Sequence, residues 1–307
     1  MTDAQKSTSQ TGVGKTLADK HRASESFTVL AVRSLLRHRY GMLGLIITVL
    51  LVVLALLAPV IAPYDDLEMH PADRFHPPSL SYPLGTDEFG RDIFSRILFG
   101  AQISLSVGLS SVAIATVIGV VVGLLAGFFS GWLDTVTMRF FDALLAFPAI
   151  LLAIVILAML GPGPVTVTLA VAIVSVPAFA RLTRANVLTE KEREYIQAAT
   201  CIGAHPLRIA FHHILPNSVA TVLVQITVSV ASAVLLEASL SFLGLGTPPP
   251  APSWGSMLSI GRGFLIQAPW YGIFPGIAIT LLVMGFYLLG DGLRDALDPF
   301  RQKGINT

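Results

Sequence analysis

Tyr195-Ile-Gln-Ala-Ala-Thr-Cys-Ile-Gly203, followed by Arg208-Ile-Ala-Phe-His-His-Ile-Leu-Pro216-Asn217, is a polar, Arg- and His-bearing island between two long apolar runs. The chain around it is 53% apolar and only 13% charged, well below the quarter of charged residues usual in a soluble domain. The island therefore has to lie outside any lipid phase. Its position sets the frame for everything else in the chain.

Working outward, the charges mark the apolar spans. Between Arg39 and Asp65, Arg96 and Asp134, Asp142 and Arg181, Arg208 and Glu237, and Arg262 and Asp291 there is no formal charge. Each gap matches or exceeds the roughly 20 residues a helix needs to cross a hydrocarbon core. The run 143–180 is too long for one helix. It divides at Gly161-Pro162-Gly163-Pro164, a strong turn signal. Spans are expected at about 41–62, 103–128, 143–160, 164–180, 219–242 and 270–289. An external segment covers 63–102, and an internal loop covers 181–217.

Lysine and arginine placement sets the orientation. With six spans and the N-terminus inside, the inner segments hold sixteen of the 20 Lys and Arg residues, leaving Arg74, Arg91, Arg96 and Arg262 outside. That is the positive-inside bias, and both termini are expected in the cytoplasm. Trp132, Trp254 and Trp270 fall at or near span borders, as interfacial aromatics do. The expected fold is an all-α membrane protein, a six-span helical bundle occupying 28–300. Residues 1–27, polar and rich in Ser, Thr, Gln and Lys, read as a disordered cytoplasmic tail, and 301–307 as a second tail.

Other classes are disfavoured. The net charge of +1 gives no basic surface for nucleic acid. The single cysteine, Cys201, rules out an internal disulfide and a multi-cysteine metal site. His205, His212 and His213 invite a metal reading, yet adjacent helical residues diverge by about 100° and do not share an ion. No nucleophile–base pattern, HExxH or GxxxxGK[ST] loop occurs, so no catalytic residue, metal or cofactor is expected. The chain does not hydrolyse ATP itself, and uphill transport would need an outside energy source.

Within the island, the run Glu190 to Glu194 alternates in sign, as on a solvated helix end. Tyr195 to Ile202 reads as a short helix closed by Gly203, which tolerates positive φ. His205-Pro206 opens the next segment, since proline suits a first helical turn, and Pro216-Asn217 marks entry to the fifth span. Helix, glycine corner and helix together present a short rigid knob. On the outer side, Asp92 to Gln102 places Ile93, Phe94, Ile97 and Leu98 on one face, as in an interfacial helix. Gly119, Gly123 and Gly127 form a ladder that admits a close neighbouring backbone. Pro148 and Pro177 fall within spans as kinks or hinges. Glu237, near the outer end of the fifth span, is the only acid within any span. Such a residue contacts cargo or shapes the span's exit.

The spacing Gln197-Ala198-Ala199, three residues, Gly203, nine residues, His213, then Ile214-Leu215-Pro216 resembles the "EAA" cytoplasmic loop of ABC importer permeases. Pro83-Leu-Gly-Thr-Asp-Glu-Phe-Gly-Arg-Asp92, Glu237-Ala-Ser-Leu-Ser-Phe-Leu-Gly-Leu-Gly246 with Trp254-Gly255, and Gly290-Asp-Gly-Leu-Arg-Asp-Ala-Leu-Asp298-Pro299 resemble other segments of the dipeptide, oligopeptide and nickel branch, in the right order. The resemblance is to that branch's second, "C"-type permease. It implies that Gln197, Ala198, Ala199, Gly203, His213, Leu215 and Pro216 form an ATPase-coupling site. The implied partners are a homologous second permease, two ATP-binding subunits and an external solute-binding protein, in the cytoplasmic membrane. Cargo would be di- or oligopeptides, with nickel, glutathione or another small solute as alternatives. An ion-coupled secondary transporter is the competing class. Gln197 departs from the family's glutamate, which removes any ion pair with the ATPase at that position.

Overall fold

The computed structural model describes Leu36 and residues 38–297. The expected tails 1–27 and 301–307 lie outside the described residues. His38 begins the first helix by accepting from Gly41 N through Nδ1 at 3.0 Å. The helix α1 (Arg39–Leu56) breaks at Leu57 and continues as the short α2 (Ala58–Ile61) with Pro59 in its first turn, where a missing N–H costs least. The segment expected outside then carries a 3-10 turn, Pro71–Asp73, before Asp92 caps α3 (Ile93–Phe129) by accepting from Ser95 N.

The remainder comprises α4 (Gly131–Leu145), α5 (Ala149–Leu160), α6 (Pro164–Lys191), α7 (Glu194–Cys201), α8 (Pro206–Ile209), a π turn (Ala210–Ile214), α9 (Leu215–Phe242), α10 (Trp254–Gly261) and α11 (Pro269–Leu297). Among the described residues, five helical stretches are long and apolar enough to cross a bilayer, and six if α4 and α5 are one broken span bent by 92°. The break falls at Phe147-Pro148, because proline removes a backbone donor and turns the preceding residue out of helix. The α5–α6 turn uses Gly161 and Gly163 at φ +86° and +153°, conformations that side-chain-bearing residues avoid.

Several helices run past the charge-free gaps. At 37 residues, α3 is about 55 Å long, well beyond a hydrocarbon core of about 30 Å. Its first turns are not a separate helix resting on lipid, which is what the apolar face of 92–102 suggests. Ile93, Ser95, Arg96, Leu98, Gly100 and Ala101 are buried within the protein. Trp254 lies against Gly100 and donates from Nε1 to Ile97 O at 2.9 Å, while Ile93 packs with Met257, Ala268 and Tyr271. Similarly, α6 continues ten residues past Arg181 to Lys191, so part of the expected internal loop is helix.

Small residues set the packing. The ladder on α3 lies against α6: a Cβ at Gly119 would stand 2.6 Å from Phe179 Cβ and one at Gly127 3.0 Å from Val187 Cβ, while Gly123 abuts the Ala180 backbone. Without a hydrophobic driving force between helices in lipid, such close approach supplies the van der Waals contact that holds them. The main core runs through Val112, Ala115, Val171, Phe179, Ala231, Val234 and Leu282. Leu43, Ile46, Val53, Val117, Ile173 and Ile277 face outward, as expected where the solvent is hydrocarbon.

Candidate coupling site

The island 194–216 is a folded knob. α7 ends at Cys201 with Ile202 as its C-cap, and Gly203 turns the chain at φ +76°. Ala204 N closes the turn on Ala199 O at 3.1 Å. α8 starts at Pro206 behind His205, and the chain runs through the π turn into α9 without a break. One face is anchored. Ile196, Ile209, Ala210 and Ile214 form a separate buried cluster with Leu124 of α3 and Val187 of α6, flanked by Ala199, Leu215 and Phe128.

The other face is bare. Gln197, Ala198, Gly203, His213 and Pro216 are exposed, while Ala199 and Leu215 are half-buried. The expected site residues thus share one knob but divide between its anchored and open sides. Ile202 is 85% exposed, accompanied by Leu207, Phe211 and Tyr195. One bare apolar side chain is ordinary, but several on one short segment outside the apolar spans make this face a candidate partner surface. His205, His212 and His213 are on the surface as well. Gln197 donates from Nε2 to Glu192 O at 3.2 Å, so it makes an intramolecular contact of its own.

Side chains outside the resemblance pattern stiffen the base of the knob. Tyr195 Oη donates to Glu190 Oε2 at 2.7 Å, and Asn217 Nδ2 donates both to Tyr195 Oη at 2.7 Å and to His213 O at 3.0 Å. Arg193 pairs with Glu190 at 2.8 Å. These four residues line a polar recess of about 360 Å³. Burial, and next the Glu190 hydrogen bond, raise the Tyr195 phenol above its ordinary pKa; it stays a neutral donor. By charge pattern alone the run 190–194 reads as merely solvated. The signal for Glu190 is its spacing, five residues before a tyrosine that folds back across the turn.

The segment 63–102 contrasts with this. Asp87, Arg91, Asp92 and Arg96 are all under 5% exposed. Asp87 accepts from Phe89 N and Arg91 N through Oδ1 at 2.8 and 2.9 Å, and from Arg91 Nε through Oδ2 at 2.6 Å. Arg96 lies 3.7 Å from the same carboxylate and donates to Asp66 O at 2.8 Å. Trp270 Nε1 donates to Thr86 O at 3.2 Å.

Glu237 is 1% exposed. Its Oε1 accepts from Ser241 Oγ at 2.7 Å, with Ser104 of α3 beside it. Ser241 is pressed by Gly246 and Gly255, where α10 folds back on the end of α9. Glu237 is thus enclosed by its own chain, and its Oε2 is buried without a hydrogen-bond partner among the described residues.

Comparison with known proteins agrees with this architecture. Residues 119–303 match the model for the binding-protein-dependent transport system inner membrane component, and residues 26–78 match the N-terminal TM domain of oligopeptide transport permease C. The chain belongs to this family of inner-membrane transport permeases. It is 47% identical over 269 residues to the dipeptide transport system permease protein DppC of Alkalihalophilus pseudofirmus, covering 88% of each chain. It is 51% identical over 264 residues to the glutathione transport system permease protein GsiD of Shigella flexneri, covering 86% of this chain and 87% of the relative. The GsiD protein of Escherichia coli O1:K1 is 48% identical over the same length. The chain is a multi-pass protein of the cytoplasmic membrane, a transport subunit rather than an enzyme.

Proposed function

We propose that this chain is the transmembrane permease subunit of an ATP-driven importer of peptides. In this reading it pairs with a homologous second permease, takes cargo from an external solute-binding protein, and is driven by two ATP-binding subunits inside the cell. The single observation that carries the reading is the knob 194–216, clamped on one face to α3 and α6 and bare on the other. A rigid element joined to two spans transmits force; a floppy loop does not. The positive-inside distribution of Lys and Arg favours a cytoplasmic knob and cytoplasmic termini.

Transport proceeds by alternating access. Closure of the ATP-binding pair moves the knob and tilts the spans it is clamped to, so that the path opens outward; hydrolysis resets it. Inverting access from 1:99 to 99:1 takes about 5.5 kcal/mol of differential binding, within reach of nucleotide-driven closure. Dipeptide and glutathione permeases among the relatives favour a small peptide over nickel as cargo. Glu237 is assigned to the exit structure and Gln197 to docking by shape and hydrogen bonding. The test is uptake of a labelled dipeptide and of labelled glutathione into proteoliposomes holding the full complex and its binding protein. ATP-dependent accumulation of either is expected. Accumulation driven by an ion gradient without ATP would make the chain a secondary transporter instead.

A further inference from the structure

The knob is clamped to α3 and α6, but the break in the third apolar stretch lies beyond α4, and the knob's apolar anchor includes no residue of α4. α4 packs into the main core through Phe141, with Met138 and Leu144 against it, and cations of α6 add a polar link. Arg181, Arg184 and Lys191 fall within an arc of about 80° on that helix. Arg181 pairs with Asp142 of α4, and Arg184 Nη2 donates to Asp134 Oδ2 of α4 at 2.6 Å. Lys191 reaches the corner between α3 and α4. Its Nζ donates to Phe128 O at 2.7 Å and Ser130 Oγ at 3.2 Å, with Gly127 O at 3.5 Å and the Phe128 ring centroid at 5.5 Å. Asp134 also lies within its electrostatic reach.

That corner is held in an uncommon shape. Ser130 sits at φ +54° and Gly131 at φ +64°, and a non-glycine residue in this region persists only where its surroundings dictate it. The last carbonyls of α3 have no partner further along the helix, and a cation there satisfies them and opposes the negative end of the helix dipole. Lys191 does this while standing at the end of α6, three residues before α7 begins. A displacement of α7 therefore has two routes, through the apolar anchor to α3 and α6 and through the short chain 191–194 to this lysine and the start of α4. The glycine ladder locks α3 to α6 as far as Gly127 and does not extend to α4.

We infer that Lys191 is a positioning residue that carries movement of the knob into the α3–α4 corner, and so to the bend at Phe147-Pro148. The inference rests on the importer reading above. Arg181 and Arg184 hold α4 alongside α6, and Lys191 fixes where α4 starts. Its contribution is to coupling, not to docking of the ATP-binding subunits.

The test compares Lys191→Met and Lys191→Arg in the complete reconstituted complex, reading cargo imported per ATP hydrolysed. A variant that merely lowers the amount of folded complex reduces uptake and hydrolysis together and leaves this ratio alone. For Lys191→Met the ratio is expected to fall about fivefold while the ATP-binding subunits still co-purify, and Lys191→Arg is expected to restore most of it. An unchanged ratio in Lys191→Met overturns the proposal. Failure of Lys191→Met to assemble also overturns it, since the lysine would then hold the bundle together instead of relaying motion. If wild-type uptake itself ignores ATP, the importer reading fails, an outcome distinct from either result for Lys191.

Discussion

The two ends of the molecule use polar residues in opposite ways. At the end expected outside from the Lys and Arg distribution, Asp87, Arg91 and Arg96 are buried and answer one another. At the end expected inside, Gln197, Ile202, Gly203 and His213 stand open. Both segments look alike in sequence, as charged or polar runs that interrupt apolar ones. The run 87–96 is consumed by its own fold, and much of the run 195–217 is left exposed. A motif of polar residues in a membrane protein is therefore not by itself a binding surface. Burial decides which kind it is.

The contrast can be broken first at the outer end. Asp87→Asn leaves two buried guanidinium groups without their shared carboxylate. Removing one partner of a buried pair costs about 3–5 kcal/mol, and the detergent-solubilised bundle is expected to melt earlier or fail to accumulate. An unchanged melting temperature would mean that the outer charges are not structural.

A smaller effect is expected at the knob's corner. Gly203→Ala meets open space but must hold φ +76°, which costs about 1–2 kcal/mol. The cost should surface locally, as amide exchange in 194–214 faster by about tenfold, while α3 and α6 keep their protection. Uniform loss of protection would show that the knob and bundle unfold as one unit.

The smallest effect concerns docking charge. Gln197→Glu adds an exposed carboxylate, and such pairs contribute about 0.2–1 kcal/mol. ATPase association should tighten by about twofold to fivefold at low salt, and the gain should vanish at high salt. Salt-independent tightening would mean that shape, not charge, has changed.

Much of the fold is legible in the amino-acid sequence. Charge-free gaps locate the apolar helices, and Gly203 and Pro206 predict the corner and the restart of helix. The GPGP turn is equally plain. What is not legible depends on partners distant in the chain. Lys191 looks like one charge in a solvated run, yet its carbonyl partners lie some 60 positions earlier, at Gly127 and Phe128. The outer stretch 92–102 has the amphipathic face of an interfacial helix, because periodicity cannot say whether lipid or Trp254 covers that face. Glu237 likewise carries two readings in sequence, and the closure of Ser241 and α10 over it favours the structural one.

The central claim is that the bare face of the knob receives the ATP-binding subunits. The most direct measurement is affinity of those subunits for the solubilised permease pair carrying Ile202→Asp, alongside its melting temperature. Ile202 is 85% exposed, so the bundle should melt as the wild type does. A desolvated charge at a contact centre costs about 2 kcal/mol, roughly thirtyfold in affinity, and uptake should fall with it. Wild-type affinity in Ile202→Asp, with the fold intact, would contradict the account.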